Sequence, residues 1–372
     1  VSSHDGGRGP HILIVGLGLM GGSLGMALKT FVPDVRVGGS DLDPDVAARA
    51  LSLGAIDRIE PQGTSDLSRY EVIFAATPVR TIPTVLAGLA KRASAGTILT
   101  DLGSAKGYVH RELVDRLPSQ IHYVGGHPMA GSEIEGLDGA DPHLYENAVW
   151  ILTDPSGALT GPRKRLEKLL SSVGALVVTM DPLVHDRIVS MTSHLPYLAA
   201  VSLVNALLDR FSRPEEALSL AAGGFFDTTR VAGCPPPIFR DIMLANRENV
   251  LEGIDLLMAE LESLRSSLRA SDQQALDRAF GRARELRSTL PRASKGYPVP
   301  RFELVVRALD QPGFLGKVAT LLGDARINIK DFLLMHIREG EPGTILLAFL
   351  TDEDLDRAHR TLTDAGMTAK RR

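Results

Sequence analysis

Along the first half of the chain, short continuous apolar runs alternate with segments in which apolar residues recur every three or four positions. Ile12, Leu13, Ile14 and Val15 form the first run, which enters the glycine-rich stretch from Gly16 to Ser23. A helical pattern, Leu24, Met26, Ala27 and Leu28, leaves it. Continuous runs mark strands buried on both faces, whereas the wider spacing marks helices with one buried side. Strands are predicted at 11–16, 35–40, 72–76, 97–101, 121–125, 147–152 and 175–179, and helices at 21–31, 44–53, 80–91, 106–116 and 161–172. This alternation implies an α/β domain over 11–181, a mostly parallel, doubly wound Rossmann-type sheet with helices on both faces.

After Asp181 the strand pattern stops. Leu183 to Arg210 carries apolar residues at helical spacing, and 241–268 places Ile254, Leu257, Leu261, Leu264 and Leu268 on one stripe. A third helix is predicted at 272–289, and Met191 to Leu208 reads as a buried helix. An all-α domain over 182–290 with helices this long and apolar is expected to pack against a second copy, giving a homodimer. PRASKGYPVP, 291–300, has the composition of a linker. Beyond it the pattern gives a strand at 302–309, a turn through Gly313, a helix at 314–325, strands at 327–337 and 344–351, a helix at 352–365 and a short strand at 367–370. That is a ferredoxin-like α+β module over 301–372. Residues 1–10 read as a disordered lead-in.

Composition narrows the function classes. A net charge of −4 over 372 residues leaves no basic surplus for nucleic acid. The single cysteine, Cys234, cannot form an internal disulfide. No uninterrupted apolar run is long enough to cross a bilayer, because the best candidate is broken by His194, Pro196 and Asn205. The cytoplasm is the default location, and no membrane partner is expected.

The candidate chemistry sits where strands are predicted to end, since ligands of such sheets bind at their carboxyl ends. In the first turn Gly16 makes the bend, Gly18 lets a pyrophosphate approach, and Gly21 lets the helix pack; Leu19 and Met20 lie between them. Asp41 stands 20 residues after Gly21 in the sequence, where an acid meets ribose hydroxyls, so NAD is favoured over NADP. Thr77, Pro78 and Val79 follow the third such strand. His127, past a later strand end, is the candidate base, because a neutral imidazole can take a proton near neutral pH. Ser104 could hydrogen-bond the same substrate hydroxyl or cap the helix at 106–116. His185 and His194 are too far apart in sequence for an i, i+4 metal pair, and no metal is expected. Arg230 could clamp a carboxylate or lie on a solvated surface.

Taken in order, GLGLMGGSLG, ATPVR, DLGSAKG, GGHPMAGSE, LVHDRIVSMTSHLPY, GGFFDTTRVA and PIFRDIMLANRENV resemble the prephenate dehydrogenase family. The resemblance implies NAD-dependent oxidative decarboxylation of prephenate to 4-hydroxyphenylpyruvate in tyrosine biosynthesis. It implies His127 and Ser104 as the catalytic pair, Arg230 on a substrate carboxylate, and Asp227 supporting that arginine. Glu133 would gate the pocket, and His185 and His194 would position groups. Where bacterial members read His-Leu-Pro-His, this chain has His194-Leu195-Pro196-Tyr197, which keeps arogenate open as the substrate; a silent amino-acid sensor is the remaining alternative. The last module resembles an ACT domain through Asp310, Pro312, Gly313, Phe314 and Leu315, followed by Asn328 and Ile329. The effector it implies is an amino acid, tyrosine above all.

Overall fold

The computed structural model describes residues 9–64, 66–131, 134–154, 160–289, 302–308, 311–335 and 343–371. The chain divides into two compact units, Val1–Ala279 and Phe280–Arg372. That divide falls inside a helix, Gln273–Thr289, rather than in the expected linker at 291–300, which lies outside the described residues. Residues 1–8 of the expected lead-in lie outside them too.

The first unit opens as β1 (His11–Val15), α1 (Leu19–Phe31), β2 (Arg36–Ser40), α2 (Pro44–Ser52), β3 (Arg58–Ile59), β4 (Val72–Ala75), α3 (Ile82–Ala90), β5 (Ile98–Asp101), α4 (Lys106–Leu113) and β6 (His122–Tyr123). Its sheet runs β3-β2-β1-β4-β5-β6 with every pairing parallel. Side chains alternate between the two faces: Ile12, Ile14, Phe74 and Ile98 enter one core, and Leu13, Ile73 and Leu99 the other. Burial on both faces explains the unbroken apolar runs, and each such side chain contributes about 1.5–3 kcal/mol.

The expectation of a single sheet is corrected here. The run at 121–125 splits into β6 and β7 (Gly125–Pro128), and β7 joins β8 (Val149–Thr153) and β9 (Leu176–Met180) in a separate three-stranded sheet. β7 and β8 are antiparallel, β8 and β9 parallel, and α5 (Thr160–Ser172) connects the last two. The cause lies at Gly126. Its N–H turns to the Asp101 carboxylate, 3.4 Å away, and its carbonyl accepts from Lys106 Nζ at 2.6 Å, so neither group continues the β5–β6 ladder.

From Asp181 on, this unit is helical: α6 (Pro182–Val189), a π-helical turn (Ser190–His194), α7 (Leu195–Arg210), α8 (Pro214–Leu218), α9 (Gly223–Thr229), α10 (Pro236–Ala245), α11 (Arg247–Arg269) and the first part of α12 (Gln273–Thr289), up to Ala279. Pro182–Arg210 does have the length and apolar character of a membrane span, contrary to the sequence expectation. Nor is it a buried helix in the single chain, since α7 buries only Leu195, Tyr197 and Ala200. The stripe on α11 is similarly uncovered, with Leu261 57% and Leu268 63% exposed.

The second unit is β10 (Phe302–Ala308), α13 (Phe314–Asp324), β11 (Asp331–Met335), β12 (Gly343–Phe349), α14 (Asp352–Asp364) and β13 (Ala369–Arg371). The sheet order β11-β12-β10-β13, antiparallel throughout, is the ferredoxin-like arrangement. Leu304, Val306, Val318, Leu347, Phe349 and Leu362 fill its core.

Candidate active site

The glycine turn after β1 separates three roles by geometry. Gly16 has φ +92°, and a Cβ there would fall 2.6 Å from the Ala76 carbonyl oxygen. At Gly21 a Cβ would meet the Gly16 carbonyl oxygen at 1.8 Å, so this position is fixed by packing. At Gly18 it would meet nothing within 4 Å. A bare backbone therefore faces open space directly before α1, whose first turn carries no acidic residue and no side-chain cap. Such a helix end presents free N–H groups and the positive pole of the helix dipole.

Asp41 closes this turn from the end of β2. Its Oδ2 accepts the Leu17 N–H at 2.7 Å and its Oδ1 the Asp43 N–H at 3.0 Å. A cavity of about 710 Å³ runs beside it, lined by Gly16, Gly18, Asp41, Thr77 and Pro78 among others. An open glycine face, a helix amino end and a fixed carboxylate fit a dinucleotide. Leu19, Met20, Gly21 and Val79 are not among the cavity's lining residues: Gly21 and Val79 are buried, and Leu19 and Met20 half-buried.

The second cluster forms around β7. Asp101, the last residue of β5, accepts from Gly103 N at 2.7 Å and Tyr123 OH at 2.7 Å, and pairs with the fully buried Lys106. Through the Lys106 hydrogen bond to the Gly126 carbonyl, this pair ties β5, α4 and β7 together one residue before His127. Burial pushes the Lys106 ammonium below its ordinary value, opposed by Asp101.

His127 is 9% exposed, and its Nδ1 lies 2.8 Å from His185 Nε2 with the two rings at 72°. His185 Nδ1 is in turn 2.7 Å from Asp186 Oδ1. Asp186 also accepts the N–H groups of Lys106 and Gly107, at 2.7 and 2.9 Å. His194, at the end of the π-helical turn, places Nδ1 3.3 Å from Asn246 Nδ2, and that amide donates to the Asp186 carbonyl at 2.8 Å. Burial holds His127 well below the ordinary imidazole range, helped by His185, Lys106 and His194. His194 is pushed down to about 4, again by burial first. Both rings are neutral at pH 7 and able to accept a hydrogen bond or a proton.

Ser104 lies half-buried between β5 and α4. It does not cap α4, contrary to one of its two expected roles, because Asp186 takes the N–H groups that a capping serine would satisfy. Tyr197 stands one turn beyond His194 and is buried against Phe239. Asp227 is on α9, and Arg230 opens the short 3₁₀ turn that follows; both are exposed, and these elements pack on α7. Glu133 lies outside the described residues.

In the second unit, Pro312, Gly313 and Phe314 line a cavity of about 540 Å³ with Arg307, Gln311 and Lys317. Gly313, at φ +85°, is the N-cap of α13. Asn328 and Ile329 are not among the lining residues, and neither is Leu315; Asn328 is exposed. Asp310 lies outside the described residues.

Sequence reasoning passed over Asp186, Asn246 and the Asp101–Lys106 pair. The signal for Asp186 was an acid directly after a histidine, but a neighbour in sequence gives no direction to its side chain.

A family model described as prephenate dehydrogenase, nucleotide-binding domain, matches residues 24–179, and one described as prephenate dehydrogenase, dimerization domain, matches 181–282. Prephenate dehydrogenase of Bacillus subtilis is 34% identical over 352 residues, covering 94% of this chain and 95% of that protein. A crystal structure of prephenate dehydrogenase from Aquifex aeolicus, in complex with hydroxyphenyl propionate and NAD+, superposes with a TM-score of 0.69 at 31% identity. It covers 75% of this chain and 98% of that one. Synechocystis arogenate dehydrogenase gives 0.66 at 27% identity, covering 75% and 99%.

Proposed function

The chain belongs to the prephenate dehydrogenase family, and from that premise we propose that it converts prephenate to 4-hydroxyphenylpyruvate and carbon dioxide in tyrosine biosynthesis, as an NAD-dependent oxidoreductase. The observation that carries this reading is a buried imidazole, His127, held neutral within β7, the strand packed beside β5 of the dinucleotide fold.

The turn at Gly16 and Gly18 and Asp41 would hold NAD, which would supply the acceptor for the hydride leaving C4 of the prephenate ring. His127 takes the hydrogen bond and then the proton of the C4 hydroxyl, which raises electron density on that carbon as hydride departs. The ring carboxylate leaves as carbon dioxide, its electron pair restoring aromaticity, and His127 returns the proton to the phenolic oxygen. Ser104 orients the same hydroxyl. Arg230, supported by Asp227, binds a substrate carboxylate, with His194, Tyr197 and His185 completing the pocket. Burial around His127 excludes water from a proton transfer that must be returned.

Arogenate differs from prephenate by an amino group in place of the side-chain keto oxygen. The same site handles both in principle, and Tyr197, which offers a hydroxyl donor, is the feature that bears on the choice.

The helical domain makes this enzyme a homodimer, which accounts for the uncovered apolar surface of α7 and α11. The last unit is an ACT-type regulatory module that takes tyrosine. Its cavity combines Arg307, Lys317 and the amino end of α13, a setting for a carboxylate. Tyrosine bound there lowers turnover by favouring a less active arrangement.

The test is NADH formation from prephenate or arogenate with NAD or NADP, with and without tyrosine. His127→Ala, with NAD binding and folding intact, is expected to lose turnover by about 100- to 10,000-fold. Wild-type turnover in that variant would remove His127 from the reaction.

A further inference from the structure

We infer that Asp186 is a positioning residue of this site: acting through His185, it fixes His127 as the tautomer with its proton on Nδ1 and leaves Nε2 as the proton-accepting atom. The inference deepens the proposed function and rests on His127 being the base.

The argument follows the donors. Asp186 Oδ1 accepts the Lys106 N–H and lies 2.7 Å from His185 Nδ1; Oδ2 accepts the Gly107 N–H. A carboxylate only accepts, so His185 Nδ1 carries a hydrogen. When that is the one hydrogen on the ring, Nε2 is the bare nitrogen. It lies 2.8 Å from His127 Nδ1, which must therefore be the donor. His127 is left with a lone pair on Nε2, the ring nitrogen on the far side from His185. The reverse order would set a bare His185 Nδ1 against a buried carboxylate and leave both groups without a proton between them.

Asp186 itself cannot rotate away, because two backbone N–H groups at the start of α4 hold it. Around the imidazole pair, α4 contributes Lys106, which Asp101 of β5 neutralises, and the π-helical turn contributes His194, whose Nδ1 faces Asn246. Among the described residues, Asp186 is thus the one carboxylate hydrogen-bonded to the pair. As the substrate proton arrives at His127, the positive charge is met through His185 by that carboxylate, and the charge is relayed without a further proton leaving the site.

Asp186→Asn separates this from a merely structural role. The amide must turn its NH2 toward some of the existing donors. The arrangement that spares Gly107 N–H directs NH2 at His185 Nδ1 and at the Lys106 N–H. His185 then becomes a donor at Nε2, and the proton of His127 moves to Nε2.

The experiment is nitrogen-15 NMR of histidine-labelled full-length protein with NAD bound, read together with kinetics. The unaltered protein is expected to show His127 protonated on Nδ1. Asp186→Asn is expected to show it protonated on Nε2, with kcat lower by about 100- to 10,000-fold and KM for prephenate little changed. In a His185→Gln background, Asp186→Asn is expected to add no further loss of kcat, since the two act as one unit. A proton on Nε2 of His127 in the unaltered protein overturns the inference, and so does a fully additive double variant. Should Asp186→Asn fail to fold, the spectrum of the unaltered protein still decides. Failure of the prephenate reading would show separately, as absence of NADH formation from prephenate by the unaltered chain.

Discussion

Tyr197 and Phe239 lie face to face, with ring centroids 3.8 Å apart and planes within 11°. The stack joins α7 to α10 and holds the tyrosine ring, 9% exposed, three residues beyond His194. Where the family resemblance calls for a second histidine, this chain thus carries a rigid ring with a hydroxyl at its tip. Tyr197→Phe retains the stack and loses only the hydroxyl. It is expected to raise KM for prephenate roughly tenfold at nearly constant kcat, the loss of one hydrogen bond to a charged group. Steady-state kinetics with prephenate and arogenate in parallel would measure it, and an unchanged KM for both would take the hydroxyl out of the pocket.

The three glycines of the first turn should separate in their effects. Gly16→Ala forces a side chain into φ +92° and onto the Ala76 carbonyl, so it is expected to lower the melting temperature. Gly18→Ala meets no protein atom within 4 Å and should melt like the unaltered chain while binding NAD at least about tenfold more weakly. Calorimetric melting and NAD titration on both variants check the contrast.

Asp41 serves the turn and the cofactor together. Asp41→Ala removes the acceptor of the Leu17 N–H and the carboxylate that repels a 2′-phosphate. KM for NAD is expected to rise by about tenfold or more, while the ratio of NADP to NAD turnover increases. A ratio that stays fixed would place the determinant of cofactor choice elsewhere.

Stability should fall on mild acidification. His110 and His194 are both pushed down to about 4, chiefly by burial, from an ordinary value of 6.5. Between these values the unfolded chain binds protons that the folded chain refuses, so stability is full above about pH 6.5 and declines as pH falls toward 4. Urea midpoints measured across that window test it. His110→Asn should flatten part of the slope, and an unchanged slope would show that His110 is solvated in the folded state.

Much of this fold was legible in the order of residues. Strands buried on both faces need apolar side chains at successive positions, and Ile12 to Val15 and Val72 to Ala75 show that need directly. The glycine turn and Asp41 were readable because backbone geometry at a tight turn permits few residue types, and the spacing to the second strand is set by one intervening helix. The antiparallel four-stranded unit at the end followed from the same local rules.

What the residue order left open was direction. Whether 121–125 continued the first sheet depended on Gly126 turning its N–H to Asp101, and whether Ser104 capped α4 depended on Asp186 arriving from 80 residues later in the chain to do so instead. The sequence by itself determined the dinucleotide fold and the helical domain, because strand, helix and tight-turn preferences are local. Only the tertiary structure decided that His127, His185 and Asp186 form one hydrogen-bonded line, because a hydrogen bond is a matter of distance and angle between groups that the chain itself keeps 58 residues apart.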